Sequence, residues 1–251
     1  MNRNNTGNNM DEHHKRLKVI IVGCGLGGLT CAISCRRENL QVIMLEKVTE
    51  LSEVGAGIQL PPNATRVMDS FGLMGRLFEA GCSAKEANFV LRWQDGRQLG
   101  QRPGGDWALQ KFGHHWHVMH RADYQRVLVE EAMRLGAEIR LGQDVVGVDC
   151  EEAYPVVRLA NGEEILGDVV VGADGLRSVV RTSILGFVKE PTESGDLAYR
   201  VTIPRELLIN EDEPLIRSIV KAKTNAIWWG QNMHVVLYGV RHEEIINLVL
   251  M

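Results

Sequence analysis

Two short β-branched runs bracket a helical pattern near the start of the chain. Val19–Val22 is an apolar β-branched run. It enters the cluster Gly23-Cys-Gly-Leu-Gly-Gly28; a helical pattern follows, and a second run, Val42–Leu45, ends in Glu46. This order predicts a βαβ unit. The glycines around Gly55 and the Pro61-Pro62 pair make Glu53–Arg66 a loop, with Asn63 as N-cap of a helix running through Val67 and Met68 towards Phe71. Phe89–Trp93 and Arg97–Gly100 flank Gln94-Asp-Gly96, which predicts a hairpin with a primed turn. Arg121–Leu135 places Tyr124, Val127, Leu128, Ala132 and Leu135 on one helical stripe, and Gly136 ends it. Strand patterns follow at Glu138–Leu141, Val145–Asp149, Val156–Leu159 and Glu164–Leu166, the last two joined by an Asn161-Gly162 turn. Val169–Val171 reads as a buried strand, Gly172–Gly175 as a turn, and Leu176 onward as a helix with Arg177 and Arg181 an i,i+4 pair. From Asp196 the pattern returns to strands: Leu197–Ile203, Leu215–Val220, Ala226–Trp229 and His234–Val240. The chain is α/β first and mixed sheet afterwards.

The glycine cluster fits G-x-G-x-x-G at Gly23, Gly25 and Gly28. In such a turn the first glycine permits the tight bend and the second lets the backbone approach a pyrophosphate. The third lets the helix pack closely on the strand. The helix N-terminus offers free N–H groups and a partial positive charge to phosphates. Glu46 stands where an acid accepts hydrogen bonds from ribose hydroxyls. A membrane helix over Val19–Cys35 is excluded by its glycines and its length.

The 251 residues are 45% apolar and 24% charged, with a net charge of −4. That is the balance of a globular protein, and it argues against nucleic acid as a partner. Met1–Arg16 is polar, rich in Asn and aperiodic, and reads as a disordered tail. It has no signal-peptide core, and with no transmembrane segment the expected location is cytoplasmic. Five cysteines in no framework spacing point to reduced thiols. Cys31 and Cys35 can share a helix face as ligands or as packing; Cys24 is assigned no chemistry. His114, His115, His117 and His120 cluster, but without a Cys or carboxylate at zinc-like spacing no metal is expected.

Three stretches resemble the FAD-dependent aromatic monooxygenases, the flavoprotein class of salicylate and p-hydroxybenzoate hydroxylases. They are Gly23–Gly28 with Glu46, then Gly55-Ala-Gly-Ile-Gln-Leu-Pro-Pro-Asn-Ala-Thr-Arg66, then Asp174-Gly-x-x-Ser178-x-x-Arg181. The resemblance implies a Rossmann-like FAD-binding domain, residues 17–86 and 117–190, interleaved with a mixed-sheet substrate domain, residues 87–116 and 191–251. It implies FAD contacts from Gly23, Gly25, Gly28, Glu46, Ala56, Gly57, Gln59 and Arg121, with Asp174 and Arg181 tied to FAD and the nicotinamide cofactor. Arg200 and Tyr238 fall at positions facing the substrate. From the residues alone, Asp174 can equally shape a turn, Arg181 a solvated helix face, and Tyr238 a sheet aromatic; Trp228 and Trp229 read as core and pocket wall. The family's later Gly-Asp motif has no counterpart, so the expected chain is a truncated one, with an unpaired sheet edge open to dimerisation or aggregation.

The activity implied is hydroxylation of an aromatic or phenolic small molecule with O2 and NAD(P)H, through a flavin hydroperoxide. Alternatives on the same scaffold are a flavin epoxidase or reductase, or a non-catalytic FAD-binding remnant.

Overall fold

In chain order the elements are β1 (Lys18–Val22), α1 (Leu26–Arg37), β2 (Gln41–Leu45), β3 (Gly57–Leu60), α2 (Pro62–Ser70), α3 (Met74–Glu79), β4 (Ser83–Ala84), β5 (Ala87–Arg92), β6 (Gln98–Pro103), α4 (Asp106–Phe112), β7 (His117–His120), α5 (Arg121–Arg134), β8 (Glu138–Arg140), β9 (Val145–Asp149), β10 (Val156–Leu159), β11 (Glu164–Leu166), β12 (Val169–Gly172), α6 (Val179–Leu185), β13 (Tyr199–Pro204), α7 (Arg205–Ile209), β14 (Asn225–Gly230), β15 (Met233–Val240) and β16 (Ile245–Leu250). The computed structural model describes residues 16–51, 55–103, 106–151, 153–209 and 224–251. The expected tail up to residue 15, Glu53 and Val54 of the expected loop, and the expected strand Leu215–Val220 lie outside the described residues.

The chain forms two compact units, Met1–Thr49 with Ala132–Lys189, and Glu50–Glu131 with Glu190–Met251. In the first, a parallel sheet runs β12-β1-β2-β8. Val19 to Val22 and Val42 to Leu45 are buried at every position, so both faces of these strands are covered. Ile20, Val22, Ile43 and Leu45 pack on Val157, Leu159 and Ile165 of the antiparallel sheet β11-β10-β9, and on Val180 of α6. The small residues of α1 bring its backbone against β1 and β2. Arg36 and Arg37 complement the helix dipole at its C-terminus.

The second unit holds a six-stranded sheet, β13-β16-β15-β14-β5-β6, and a small sheet, β3-β7-β4. Val118 of β7 packs with Tyr238 and Val240 of β15.

Several sequence expectations are corrected by these elements. The segment around Gly57 is no plain loop, since Gly57–Leu60 pairs antiparallel with His117–His120. The cap of α2 is Pro61 and Pro62 is its first residue, the fixed proline φ suiting that position, so Asn63 lies inside the helix. At Gln94-Asp-Gly96 only Gly96 has positive φ, and its N–H closes on the Arg92 carbonyl. The turn is therefore not primed. Val169–Val171 is half-exposed because β12 is the outer strand of its sheet. Trp229 is 57% exposed and is no core residue.

Helix α6 begins at Val179, three residues later than the pattern suggests. The Asp174 carboxylate accepts from the N–H groups of Val179 and Val180, and the Ser178 hydroxyl accepts from Arg181 N–H. These acceptors satisfy the first-turn donors and fix the start. Arg177 therefore precedes the helix and forms no i,i+4 pair with Arg181.

Candidate functional site

The turn between β1 and α1 is built by steric necessity. Gly23 sits at φ +104, and a Cβ there would lie 2.4 Å from the Ala173 carbonyl oxygen. A Cβ on Gly28 would lie 2.1 Å from the Gly23 oxygen, so close helix–strand packing depends on it. Gly25 differs: nothing lies within 4 Å of its Cβ position. It is the N-cap of α1 and gives no side-chain cap, so no side chain of the cap satisfies the first-turn N–H groups.

Beside this turn is a cavity of about 360 Å³ whose wall includes Gly23, Gly25, Glu46, Asp174, Gly175 and Arg177. Glu46 accepts from Cys24 N–H at 2.7 Å through one oxygen and from Val48 N–H at 3.2 Å through the other. It ties the glycine turn to the end of β2, and each oxygen keeps a lone pair for a ligand hydroxyl. Lys47 and Asp144, 3.7 Å apart, stand on the same wall. Burial, and then the Glu46 charge, push the Cys24 thiol up to about 12, so it stays protonated.

Asp174 serves the wall and the helix together. Besides the two α6 donors, its carboxylate accepts from the Ser178 hydroxyl at 2.6 Å. Arg181 donates to the Leu176 carbonyl at 2.7 Å and is not on the cavity wall. The structure thus brings to the cavity Arg177, a residue that the sequence pattern placed only in a helical pair with Arg181. The signal for it was the Asp174/Ser178 capping pair, which delays the helix and leaves Arg177, still exposed, in the turn that borders the cavity.

In the second unit Ala56, Gly57, Gln59, Arg121 and Tyr238 gather around β3. The Ala56 carbonyl accepts from Arg121 N–H at 3.0 Å. Gln59 accepts from the Trp116 indole at 3.1 Å. Gly57 donates to Asn247 at 2.6 Å, and a Cβ on Gly57 would lie 2.5 Å from the Tyr238 ring. Gly55 is pressed as closely on the His120 imidazole. Tyr238 is buried, and burial pushes its phenol up to about 12 against the opposing pull of the Arg200 cation. It is a neutral O–H donor at neutral pH. Arg200 is exposed on β13. The register Arg200↔Val249↔Val236 puts it on the Tyr238 face of the sheet. Asn247, a single polar residue inside the apolar run Ile245–Leu250, escaped the sequence reading.

A glycine turn opening a helix, an acid ending the second strand and a cavity beside both define a dinucleotide-binding βαβ protein. The chain belongs to the FAD-binding domain family, whose profile matches residues 16–223. It is 36% identical over 240 residues to the FAD-dependent monooxygenase OpS4 of Beauveria bassiana (strain ARSEF 2860), covering 94% of this chain and 55% of that protein. It is 34% identical over 236 residues to 3-hydroxybenzoate 6-hydroxylase 1 of Aquipseudomonas alcaligenes, covering 92% of this chain and 57% of that one. Among solved structures, CtdE in complex with FAD and a substrate matches with a TM-score of 0.82 at 24% identity, over 94% of this chain and 57% of that one. The tetrameric form of 2-methyl-3-hydroxypyridine-5-carboxylic acid oxygenase matches with a TM-score of 0.75 at 25% identity, over 94% and 59%. The chain spans little more than half the length of these relatives. The fold is that of the FAD-dependent hydroxylases, and FAD is the family's cofactor. Among the described residues no helix is long and apolar enough to cross a membrane.

Proposed function

We propose that the chain carries the FAD-holding and ring-binding parts of a monooxygenase that hydroxylates a phenolic aromatic acid, with NAD(P)H as reductant. The observation that carries this reading is the open space over Gly25 beside the Glu46 cavity. A pyrophosphate at that point meets the free N–H groups of α1, and an adenosine ribose meets Glu46. Arg177 on the wall offers a cation to a phosphate, while Lys47 there is paired with Asp144.

The chemistry FAD supplies when bound is transfer of NAD(P)H electrons to O2, with one oxygen atom entering the ring and the other leaving as water. The protein's part is orientation and electrostatics. Arg200 offers a cation to a carboxylate or phenolate, and Tyr238 offers a neutral O–H to a ring oxygen. The names of two relatives, 3-hydroxybenzoate 6-hydroxylases, make hydroxybenzoates the first ring compounds to test.

The test compares the wild-type chain and Arg200→Ala, each loaded with FAD, for NAD(P)H oxidation stimulated by 3-hydroxybenzoate and for hydroxylated product. The expected result is stimulation in the wild type and at least a tenfold loss in the variant, with FAD still bound. Equal stimulation in both would remove Arg200 from the ring site; no hydroxylated product from any phenolic acid would overturn the activity.

A further inference from the structure

Helix α1 packs on β1 and β2 and buries Gly28, Leu29, Ala32 and Ile33. Cys31 and Cys35 stand outside that stripe: both are free thiols and both are only half-buried. Their i,i+4 spacing puts them one turn apart on one face of the helix. The two sulfur atoms adjoin. Burial first, then the charge and the hydrogen bond of Cys35, push the Cys31 thiol up to about 11. The flank of α1 thus presents a pair of protonated thiols to a partly open surface.

Geometry decides what the pair can take. Across a helical turn the Cβ atoms stand about 5–6 Å apart. A disulfide needs about 3.5–4.5 Å. Closing that bond would deform α1, whose start is fixed by the tight packing of Gly28 on Gly23. An ion seated between the sulfurs spans the gap with the helix intact. Zinc calls for four ligands, and among the described residues no group of three His, Cys, Asp or Glu side chains could hold a metal. Calcium and magnesium call for oxygen. A soft monovalent ion is satisfied by two thiolates in line, and thiolate is the ligand it prefers.

We infer that Cys31 and Cys35 form a two-thiolate site for a soft monovalent metal ion, of which copper(I) is the representative. The ion forms a bond to each sulfur and displaces its proton to solvent; nothing is oxidised or reduced. The site lies on the second and third turns of α1, away from the N-terminal turn proposed for the phosphates, so FAD and the ion bind independently. Of the other cysteines, Cys24 and Cys82 are buried, and Cys150 is exposed and serves as the comparison.

The experiment titrates the full reduced chain, free of oxygen, against the coloured copper(I)–bicinchoninate complex, whose bleaching reports transfer of the ion. Wild type should withdraw one copper(I) per chain. Cys31→Ser and Cys35→Ser should each weaken copper(I) at least a hundredfold, and Cys150→Ser should stay within twofold of wild type. Both helix variants should keep the wild-type circular dichroism and bind FAD within twofold of wild type. Two displaced protons make wild-type affinity rise about a hundredfold per pH unit near neutrality, which a methionine site would not do. On wild type alone, copper(I) should protect Cys31 and Cys35 from iodoacetamide, read by peptide mass, and leave Cys150 reactive. Wild-type affinity in either helix variant, an equal loss in Cys150→Ser, a flat pH dependence, or no protection of the pair would each overturn the inference.

Discussion

Gly25 and Gly28 are three residues apart in one turn, yet they answer to different constraints. A methyl on Gly28 meets the Gly23 carbonyl oxygen at 2.1 Å, inside the packed turn. Gly28→Ala should cost about 1–3 kcal/mol of stability, as overpacking does. A methyl on Gly25, at φ −69, enters open space. Gly25→Ala should cost at most about 1 kcal/mol, the difference between glycine and alanine at an N-cap. It should nevertheless weaken FAD at least tenfold, because the methyl occupies the approach of the phosphates. Denaturant unfolding and FAD titration of the two variants separate the effects. Equal FAD affinity in Gly25→Ala and wild type would place the phosphates elsewhere. The contrast between these glycines was legible in the sequence because G-x-G-x-x-G is a local pattern with a local cause. Arg177 and Asn247 were not legible. One owes its place to a helix that starts late, the other to a strand that pairs across the chain.

Helix α6 is seven residues long, too short to stand on its own turns. Its start depends on Asp174, which accepts from Ser178, Val179 and Val180 together. Asp174→Ala should cost about 2 kcal/mol in denaturant unfolding, the sum of a lost cap and unmade backbone bonds. Hydrogen exchange at Val179 and Val180 should rise first. Unchanged exchange there would mean that packing of Val180 alone sets the helix. At this scale the sequence was readable wherever the periodicity is local. Val145–Asp149, Val156–Leu159 and Glu164–Leu166 are strands within the expected bounds, and Arg121–Arg134 is the expected helix. Strand β3 was hidden because its glycines signal a turn, while its pairing partner β7 lies some sixty residues on. Register between distant strands is set by tertiary packing, not by the segment itself.

For the molecule as a whole, pH dependence follows from a group that the site does not use. His117 is buried at 4% exposure in β7, and burial, with His115 nearby, holds its imidazole down to about 4. The unfolded chain titrates it near 6.5. Between those values the unfolded state binds the extra proton, so stability rises with pH and falls as pH drops through this window. From pH 7 to pH 5 the loss from His117 should be about 2 kcal/mol. His120, lowered mainly by burial, adds in the same direction. Replacing His117 by Gln should flatten the dependence of unfolding free energy on pH over that range. An equal slope in both proteins would show that the imidazole is not buried in its neutral form.

The central claim is that the Gly23–Gly28 turn and Glu46 hold the adenosine diphosphate half of FAD. The most direct measurement is titration of the folded chain with FAD, followed by flavin fluorescence, with ADP and FMN as separate competitors. Saturable binding that ADP displaces and FMN does not is the expected result. Glu46→Gln should weaken FAD and ADP alike, by about 1.5–3 kcal/mol, the worth of a hydrogen bond to a charged acceptor. No saturable binding by a chain that is folded by circular dichroism, or displacement by FMN as effective as by ADP, would contradict the account.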